Sequence, residues 1–222
     1  MKQGLYVEFN LQEQPHQWWY WKDDIVVESG HVKKLSELSS ALTKTTVTVI
    51  LSGLHIQHYS ITVPPGPLKK IIPTIPFLLE GQLLKPIESY TFTPLEHDNN
   101  QLSCYVTTKQ ILLDIECSFA QSTPPRYRVI SDYLLLPYKE SEWSFRLNND
   151  LCSLRTGLYQ GYTFSNKMSN KEPPICLQLI IDQAKKIDQL PDTVSVDAQN
   201  NDIDTVTKWL GVVTLTRTLN FI

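Results

Sequence analysis

Residues 63–90, VPPGPLKKIIPTIPFLLEGQLLKPIESY, combine the strongest apolar periodicity of the chain with its densest run of prolines, and few folds accommodate both. Leu68, Ile71, Ile72, Ile75, Leu79 and Leu83 recur at three- and four-residue steps, the period of one helix face. Pro67 suits a first helical turn, where a missing N–H costs nothing, and Gly81 with Pro86 marks the far end. Pro73 and Pro76 break the pattern, since a proline in a helix interior costs about 3 kcal/mol. The stretch therefore predicts a loose first turn, a kink and a regular helix only over residues 76–84. Packing on both sides must hold it.

Such a helix needs a core to lie against. The chain has 222 residues, 41% of them hydrophobic, which suffices for one large domain or two small lobes. Lys and Arg total 20 against 23 Asp and Glu, a formal charge of -3. The basic residues come as isolated pairs, Lys33-Lys34, Lys69-Lys70 and Lys185-Lys186, so no patch for nucleic acid or anionic lipid is visible. Cys104, Cys117, Cys152 and Cys176 are irregularly spaced, with no Cys-x-x-Cys pair, and read as small buried hydrophobes in a reducing compartment. The N-terminus lacks the apolar run of a signal peptide, and no segment reaches the roughly 20 apolar residues of a membrane span. As given, the chain reads as a soluble cytosolic piece.

In chain order, residues 5–10, 17–22 (QWWYWK) and 25–29 predict three antiparallel strands, with Asp23-Asp24 as a hairpin turn. Trp18, Trp19, Tyr20 and Trp21 cannot share one face, because successive strand side chains point oppositely. The second face is then either packed under a helix of the same domain or an aromatic patch for a partner. Residues 32–42 predict a short amphipathic helix through Val32, Leu35, Leu38 and Leu42, and 45–51 and 54–63 predict strands. Strands at 90–93 and 102–107 flank a polar loop at 97–101. A helix at 109–119 turns Ile111, Leu112, Ile115 and Phe119 inward. Pro124-Pro125 interrupts the chain, and residues 127–130 and 133–136 resume it as strand and connector. A hairpin follows at 143–147 and 151–156 around Asn148-Asn149-Asp150, then a strand at 162–164, a loop at 165–174, a helix at 175–187 and a short strand at 194–196. An acidic loop at 197–204 precedes residues 206–210. The closing run LTRTLNFI ends on apolar residues, which suggests that the natural chain continues. The order is mixed α/β and fits two related lobes.

The usual signatures of chemistry are missing. No phosphate loop and no Gly-x-Gly-x-x-Gly follows a strand, and with only 8 glycines few places allow a backbone to approach a phosphate closely. His55 and His58 resemble a metal pair on paper, but three apart on a strand they point to opposite faces; His16, His31 and His97 stand alone. No Gly-x-Ser-x-Gly elbow is present. Glu8 and Asp132 could in principle hold magnesium between two carboxylates, although a solvated strand residue and a loop cap are the commoner uses of such positions.

Several landmarks in order resemble the cytoplasmic domain of the type II secretion system protein L family. They are the tryptophan-bearing second strand with Ser29-Gly30 after it, Val63-Pro64-Pro65-Gly66, Pro76-Phe77-Leu78-Leu79-Glu80, Ser131 to Pro137 (SDYLLLP), Trp143 to Arg155 followed by Gly161, and Leu219-Asn220. The resemblance implies an actin-like, ribonuclease-H-like two-lobe fold: a first lobe of residues 1–62 with 126–138, an inserted subdomain at 63–125 and a second lobe at 139–222. It also implies a longer protein with one membrane-spanning helix and a periplasmic domain. The cytoplasmic part would sit at the inner membrane as a homodimer and recruit the N-terminal domain of the secretion ATPase, with protein M as membrane partner. That is an adaptor with no catalytic residue, cofactor or metal.

Two departures are local: Gly81 stands where relatives often carry a second acidic residue, and Pro73 adds a kink. Nucleotide-binding actin-like proteins carry an Asp-x-Gly turn in the first hairpin and a glycine-rich one in the second lobe. Here the corresponding stretches, residues 7–11 (VEFNL) and 145–150 (FRLNND), hold no glycine. That favours a binding scaffold over the alternatives, a nucleotide-binding assembly protein of a pilus machine or a kinase-like enzyme on the same fold. Trp18, Phe77, Trp143 and Arg155 have the residue types of interface anchors, and each serves equally well in a core, so no partner-binding residue is assigned.

Overall fold

The computed structural model describes residues 3–12, 15–23, 25–38, 46–98, 100–119, 126–147, 151–165, 172–197, 206–210 and 213–216. The chain divides into two compact units, Met1–Ile130 and Ser131–Ile222.

Strand formation in the first unit follows the β-branched and aromatic runs. β1 (Gln3–Glu8) pairs antiparallel with β2 (His16–Lys22), which pairs antiparallel with β3 (Ile25–Val32), while β4 (Val47–Leu51) runs parallel to β1. With β8 (Tyr127–Ser131) the sheet order is β3-β2-β1-β4-β8. Asp23, at a φ of 50°, turns β2 into β3; Asp24 lies outside the described residues. Leu5, Val7, Val47, Val49 and Leu51 are buried, and Trp18, opposite Val7, joins them. Each such side chain contributes about 1.5–3 kcal/mol by leaving water. The other face carries Tyr6 opposite Trp19, with Tyr6 stacked on Trp21 at 5.3 Å. Trp19, Tyr20 and Trp21 are half-buried.

The amphipathic helix expected over 32–42 does not form in its described part. β3 continues to Val32 and a 3-10 turn follows at Leu35–Glu37, after which Leu38 is extended. Leu35 and Leu38 are both buried, and a three-residue step places them together as well in a 3-10 turn as in an α-helix. Periodicity alone could not separate the two. The Leu42 end of the expectation lies outside the described residues.

A second, three-stranded sheet has the order β5-β7-β6, from β5 (Ile56–Thr62), β6 (Tyr90–Asp98) and β7 (Gln101–Thr108), all antiparallel. The predicted loop at 97–101 shrinks to a tight turn in which Asn100 takes a φ of 66°, a conformation asparagine tolerates better than most residues. α3 (Lys109–Phe119) follows, and of the four residues expected inward Ile111, Ile115 and Phe119 are buried while Leu112 is half-buried.

The proline-rich stretch resolves differently from the expected kinked helix. α1 (Leu68–Ile71), a 3-10 turn (Ile72–Thr74), α2 (Ile75–Leu79) and a second 3-10 turn (Glu80–Gln82) succeed one another. Pro73 and Pro76 each stand in the first turn of their own segment, where no N–H is needed, and Thr74 Oγ1 donates to the Ile71 carbonyl. The prolines divide the helix into short pieces. Ile71, Ile75 and Leu79 pack with Ile61, Val63, Leu102, Cys104 and Val106. Leu68 and Ile72 are exposed, and Leu83 is extended, so the helix ends before Leu84.

The second unit opens with a 3-10 turn (Asp132–Leu135) where a connector was expected. β9 (Glu142–Leu147), β10 (Leu151–Arg155) and β11 (Gly161–Ser165) pair antiparallel, and β12 (Thr193–Asp197) runs parallel to β9 and to β13 (Val213–Thr216), giving the order β11-β10-β9-β12-β13. α4 (Ile175–Lys186) buries Leu177, Ile181 and Ala184 in a core with Trp143, Phe145, Leu154, Phe164, Val194 and Val196. Residues 206–210 are helical and add Val206 and Leu210 to it. The expectations for Pro124-Pro125, the turn at 148–150, the acidic loop past Asp197, most of the loop at 165–174 and Leu219-Asn220 lie outside the described residues.

Candidate functional site: surfaces and a cleft of the first unit

Most polar groups singled out in the sequence have structural tasks. Asp132 accepts through Oδ1 from the Tyr133 N–H at 2.7 Å, from Thr163 Oγ1 at 2.7 Å and from Ser131 Oγ at 3.3 Å, which ties it to neighbours within the second unit. Glu8 is an exposed residue at the end of β1 in the first unit. His55 is exposed just before β5, and its carbonyl accepts from Thr107 Oγ1 at 2.8 Å. His58 stands within β5, edge-on to Tyr105 with ring centres 5.7 Å apart, and burial pushes its pKa down to about 4. Among the described residues no three His, Cys, Asp or Glu side chains are grouped to hold a metal ion.

The cysteines divide two and two. Burial raises the Cys104 thiol to about 11, against a backbone hydrogen bond from Thr93 that lowers it, and raises Cys152 to about 12, so both stay protonated in their cores. Cys117 and Cys176 are exposed, contrary to expectation. On α3 and α4 they fall beside the inward residues and not among them.

The four anchor types also separate. Trp18 and Trp143 are core residues. Arg155 spends its guanidinium on main-chain carbonyls, donating to Leu134 at 2.9 Å, Leu136 at 2.6 Å, Gly157 at 3.2 Å and Leu158 at 2.7 Å, with its head over the Tyr138 ring. Phe77 alone of the four points outward, 68% exposed, beside exposed Leu78 on α2, and Leu84 beyond them is 97% exposed. A second apolar surface runs along β3, the edge of its sheet, where Ile25, Val26 and Val27 are exposed. A register shift at Tyr20/Trp21 bulges that edge.

One cleft of about 450 Å³ opens on the first unit where the β1–β2 connection meets the end of β3 and α3, a size ordinary for a small ligand. Phe9, Leu11 and Pro15 give it apolar wall, while His16, Lys33 and Asp114 bring polar groups to it. His16 is only 6% exposed. Its Nδ1 accepts the Asn10 main-chain N–H at 3.2 Å, and its ring stacks on Phe9 at 4.5 Å. Burial lowers its pKa, against the opposing charge of Glu37, so the ring is neutral at neutral pH. Because these residues come from points about a hundred positions apart, no local motif announces the cleft.

The model of the family "Type II secretion system (T2SS), protein L" matches residues 10–171. The chain belongs to that family. The family match makes it a component of the secretion system, and no curated protein sequence matches it. Its fold is similar to that of the cytoplasmic domain of EpsL, an inner-membrane component of the type II secretion system of Vibrio cholerae. The two are 20% identical over 89% of this chain and 83% of that one, with a TM-score of 0.70. A Bacteroides thetaiotaomicron protein with an actin-like ATPase fold and unknown function is 9% identical, covers 98% of this chain and 92% of its own, and has a TM-score of 0.56. The PilM–PilN type IV pilus biogenesis complex contributes a chain 12% identical, with 95% and 87% covered and a TM-score of 0.57. The mixed α/β fold is therefore actin-like, as the sequence landmarks imply.

Proposed function

We propose that this family member is a non-catalytic adaptor at the cytoplasmic face of the inner membrane, where it binds the N-terminal domain of the secretion ATPase and couples it to the membrane platform. Residues 1–62 with 126–138 and 139–222 are then its two ribonuclease-H-like lobes, and 63–125 the inserted subdomain. The reading takes protein M and a second copy of the chain as further partners.

One observation carries the proposal. In the first sheet the β1–β2 connection runs through Phe9, Asn10 and Leu11, where a nucleotide-binding relative of this fold needs a glycine turn against phosphate. Phe9 stacks on His16 there, so an aromatic side chain stands where the glycine turn would leave bare backbone. A scaffold of this fold without that turn serves best as a binding surface, and Phe77 is an aromatic of the kind interface cores use.

Isothermal titration of the 222-residue chain with the cognate ATPase domain, and separately with ATP and magnesium, tests it. Micromolar or tighter binding of the ATPase domain with no heat from nucleotide is expected, and Phe77→Ser should weaken that binding by about tenfold if Phe77 is an anchor. Saturable heat from ATP with none from the ATPase domain would overturn the adaptor in favour of the nucleotide-dependent alternative.

A further inference from the structure

β3 is an open edge of the first sheet: among the described residues only β2 pairs with it. Such an edge presents a row of backbone N–H and C=O groups, a template for another strand. It is also apolar, with Ile25 67%, Val26 44% and Val27 59% exposed. The charges that flank it are ordered, since the acidic pair Asp23-Asp24 precedes the strand in sequence and the basic pair Lys33-Lys34 follows it. Asp23, Lys33 and Lys34 are exposed, and the chain is still extended at Lys34. Lys22 and Glu37 each offset part of this charge, which leaves the start of the strand net negative and its end net positive. A strand charged in this way is complementary to an antiparallel copy of itself and repels a parallel one.

The bulge restricts the register of such a pair. Val26, Ser29 and His31 share one face of β3 with each other, Ile25, Glu28, Gly30 and Val32 share the opposite face, and Val27 is the extra residue between them. Residues opposed across two paired strands must lie on the same face. A two-fold axis centred on Ser29 meets that condition: Ser29 opposes Ser29, Glu28 opposes Gly30, Val26 opposes His31 and Ile25 opposes Val32. The same register carries the acidic pair of each copy to the basic pair of the other. A centre on Glu28 would oppose two carboxylates, and one on Gly30 would set Val26 and Ile25 against the two lysines. Charge therefore selects one register from those the faces allow.

We propose that the first unit binds a second copy of this chain edge to edge through β3, antiparallel and centred on Ser29, so that one sheet continues across both copies. The inference deepens the adaptor reading, on which it rests for a second copy being a partner, by naming the surface which that copy occupies. Pairing over a single strand makes a small interface, so the association is weak and depends on concentration.

Sedimentation equilibrium of the whole chain from about 1 to about 300 μM tests it. The unaltered chain should pass from monomer to dimer over that range. Lys33→Glu/Lys34→Glu, with acid at both ends of β3, and Asp23→Asn/Asp24→Lys, with base at both, should each self-associate about tenfold more weakly. An equimolar mixture of the two variants should recover the native affinity as a heterodimer. Asparagine tolerates the φ of 50° at position 23, and the lysines are exposed, so both variants should keep the native thermal midpoint. An unaltered chain that stays monomeric, or a mixture no tighter than its components, would overturn the proposal. Equal self-association of the native chain and both variants would overturn it too, while leaving a second copy as a partner through some other surface. Neither variant touches Phe77 or α2, so the titration with the ATPase domain fails or succeeds separately.

Discussion

The two five-stranded sheets share one strand order and differ in what covers them. β3-β2-β1-β4-β8 and β11-β10-β9-β12-β13 both begin with an antiparallel meander and continue through a strand parallel to its first member. Each has an apolar face in a core. The first sheet turns half-buried Tyr6, Trp19 and Trp21 to its other side. The second seals that side with a polar layer: Ser195 Oγ donates to Glu142 Oε1, Lys139 Nζ meets Glu142 Oε2 at 3.0 Å, and Ser144 Oγ donates to the Pro137 carbonyl at 2.7 Å. Strand order therefore fixes one face of such a sheet and leaves the other free to specialise. The first keeps contact area in reserve, while the second is closed by its own chain.

The third strand of each meander has a glycine under a ring, and the two should respond unequally. At Gly161 an added Cβ would lie 2.2 Å from the Tyr133 ring and 2.7 Å from the Leu154 carbonyl oxygen, and backbone cannot yield as a side chain does. Gly161→Ala should cost about 3 kcal/mol or more, read as a lower denaturant midpoint for the second unit. Glu142→Ala comes next. It strips the buried partner from Ser195 and Thr193 and should cost about 2 kcal/mol, with Glu142→Gln recovering part. A full loss with the glutamine variant too would show that the carboxylate charge, and not hydrogen bonding, holds the layer. Gly30→Ala meets only the edge of Trp18 at 3.1 Å, a side chain that can shift by a few tenths of an ångström, and about 1 kcal/mol is expected. If Gly30→Ala proved the more damaging of the two, the first sheet would be the more tightly closed and the comparison would fail.

Acid sharpens the contrast. All 5 histidines precede residue 131, so only the first unit carries them. Burial lowers the folded-state pKa of His16, against the raising charge of Glu37, and that of His58 to about 4, below the unfolded value near 6.5. The unfolded chain then takes up protons first, so this stability is complete above about pH 6.5 and is lost as pH falls toward 4. Amide exchange at pH 7 and pH 5 should show the first unit opening more readily at pH 5, with the second changed less. The smallest effect is expected at the β3 edge, where Val27→Lys on an exposed, bulged position should alter stability by no more than about 0.5 kcal/mol.

The strands and the two longer helices were legible because their side-chain periods differ. Ile111, Ile115 and Phe119 can only align on a helix, and an apolar run such as Val47–Leu51 suits a buried strand. The pieces around Leu35 and Pro73 were less so: a three-residue step fits both helix types, and proline announces a break without saying whether the helix bends or restarts. The cleft was not legible, since His16, Lys33 and Asp114 share no local pattern.

The sequence by itself determined the class, the missing glycine turns and the family landmarks, all of which depend on residue type and order along the chain. Only the tertiary structure decided that Trp18 and Trp143 go inward while Phe77 stays out, that Arg155 is consumed by carbonyls, and that His16, Lys33 and Asp114 line one cleft. Burial and hydrogen-bond partnership depend on which distant segments meet, and that is fixed by packing of the whole sheet and not by any one stretch of it.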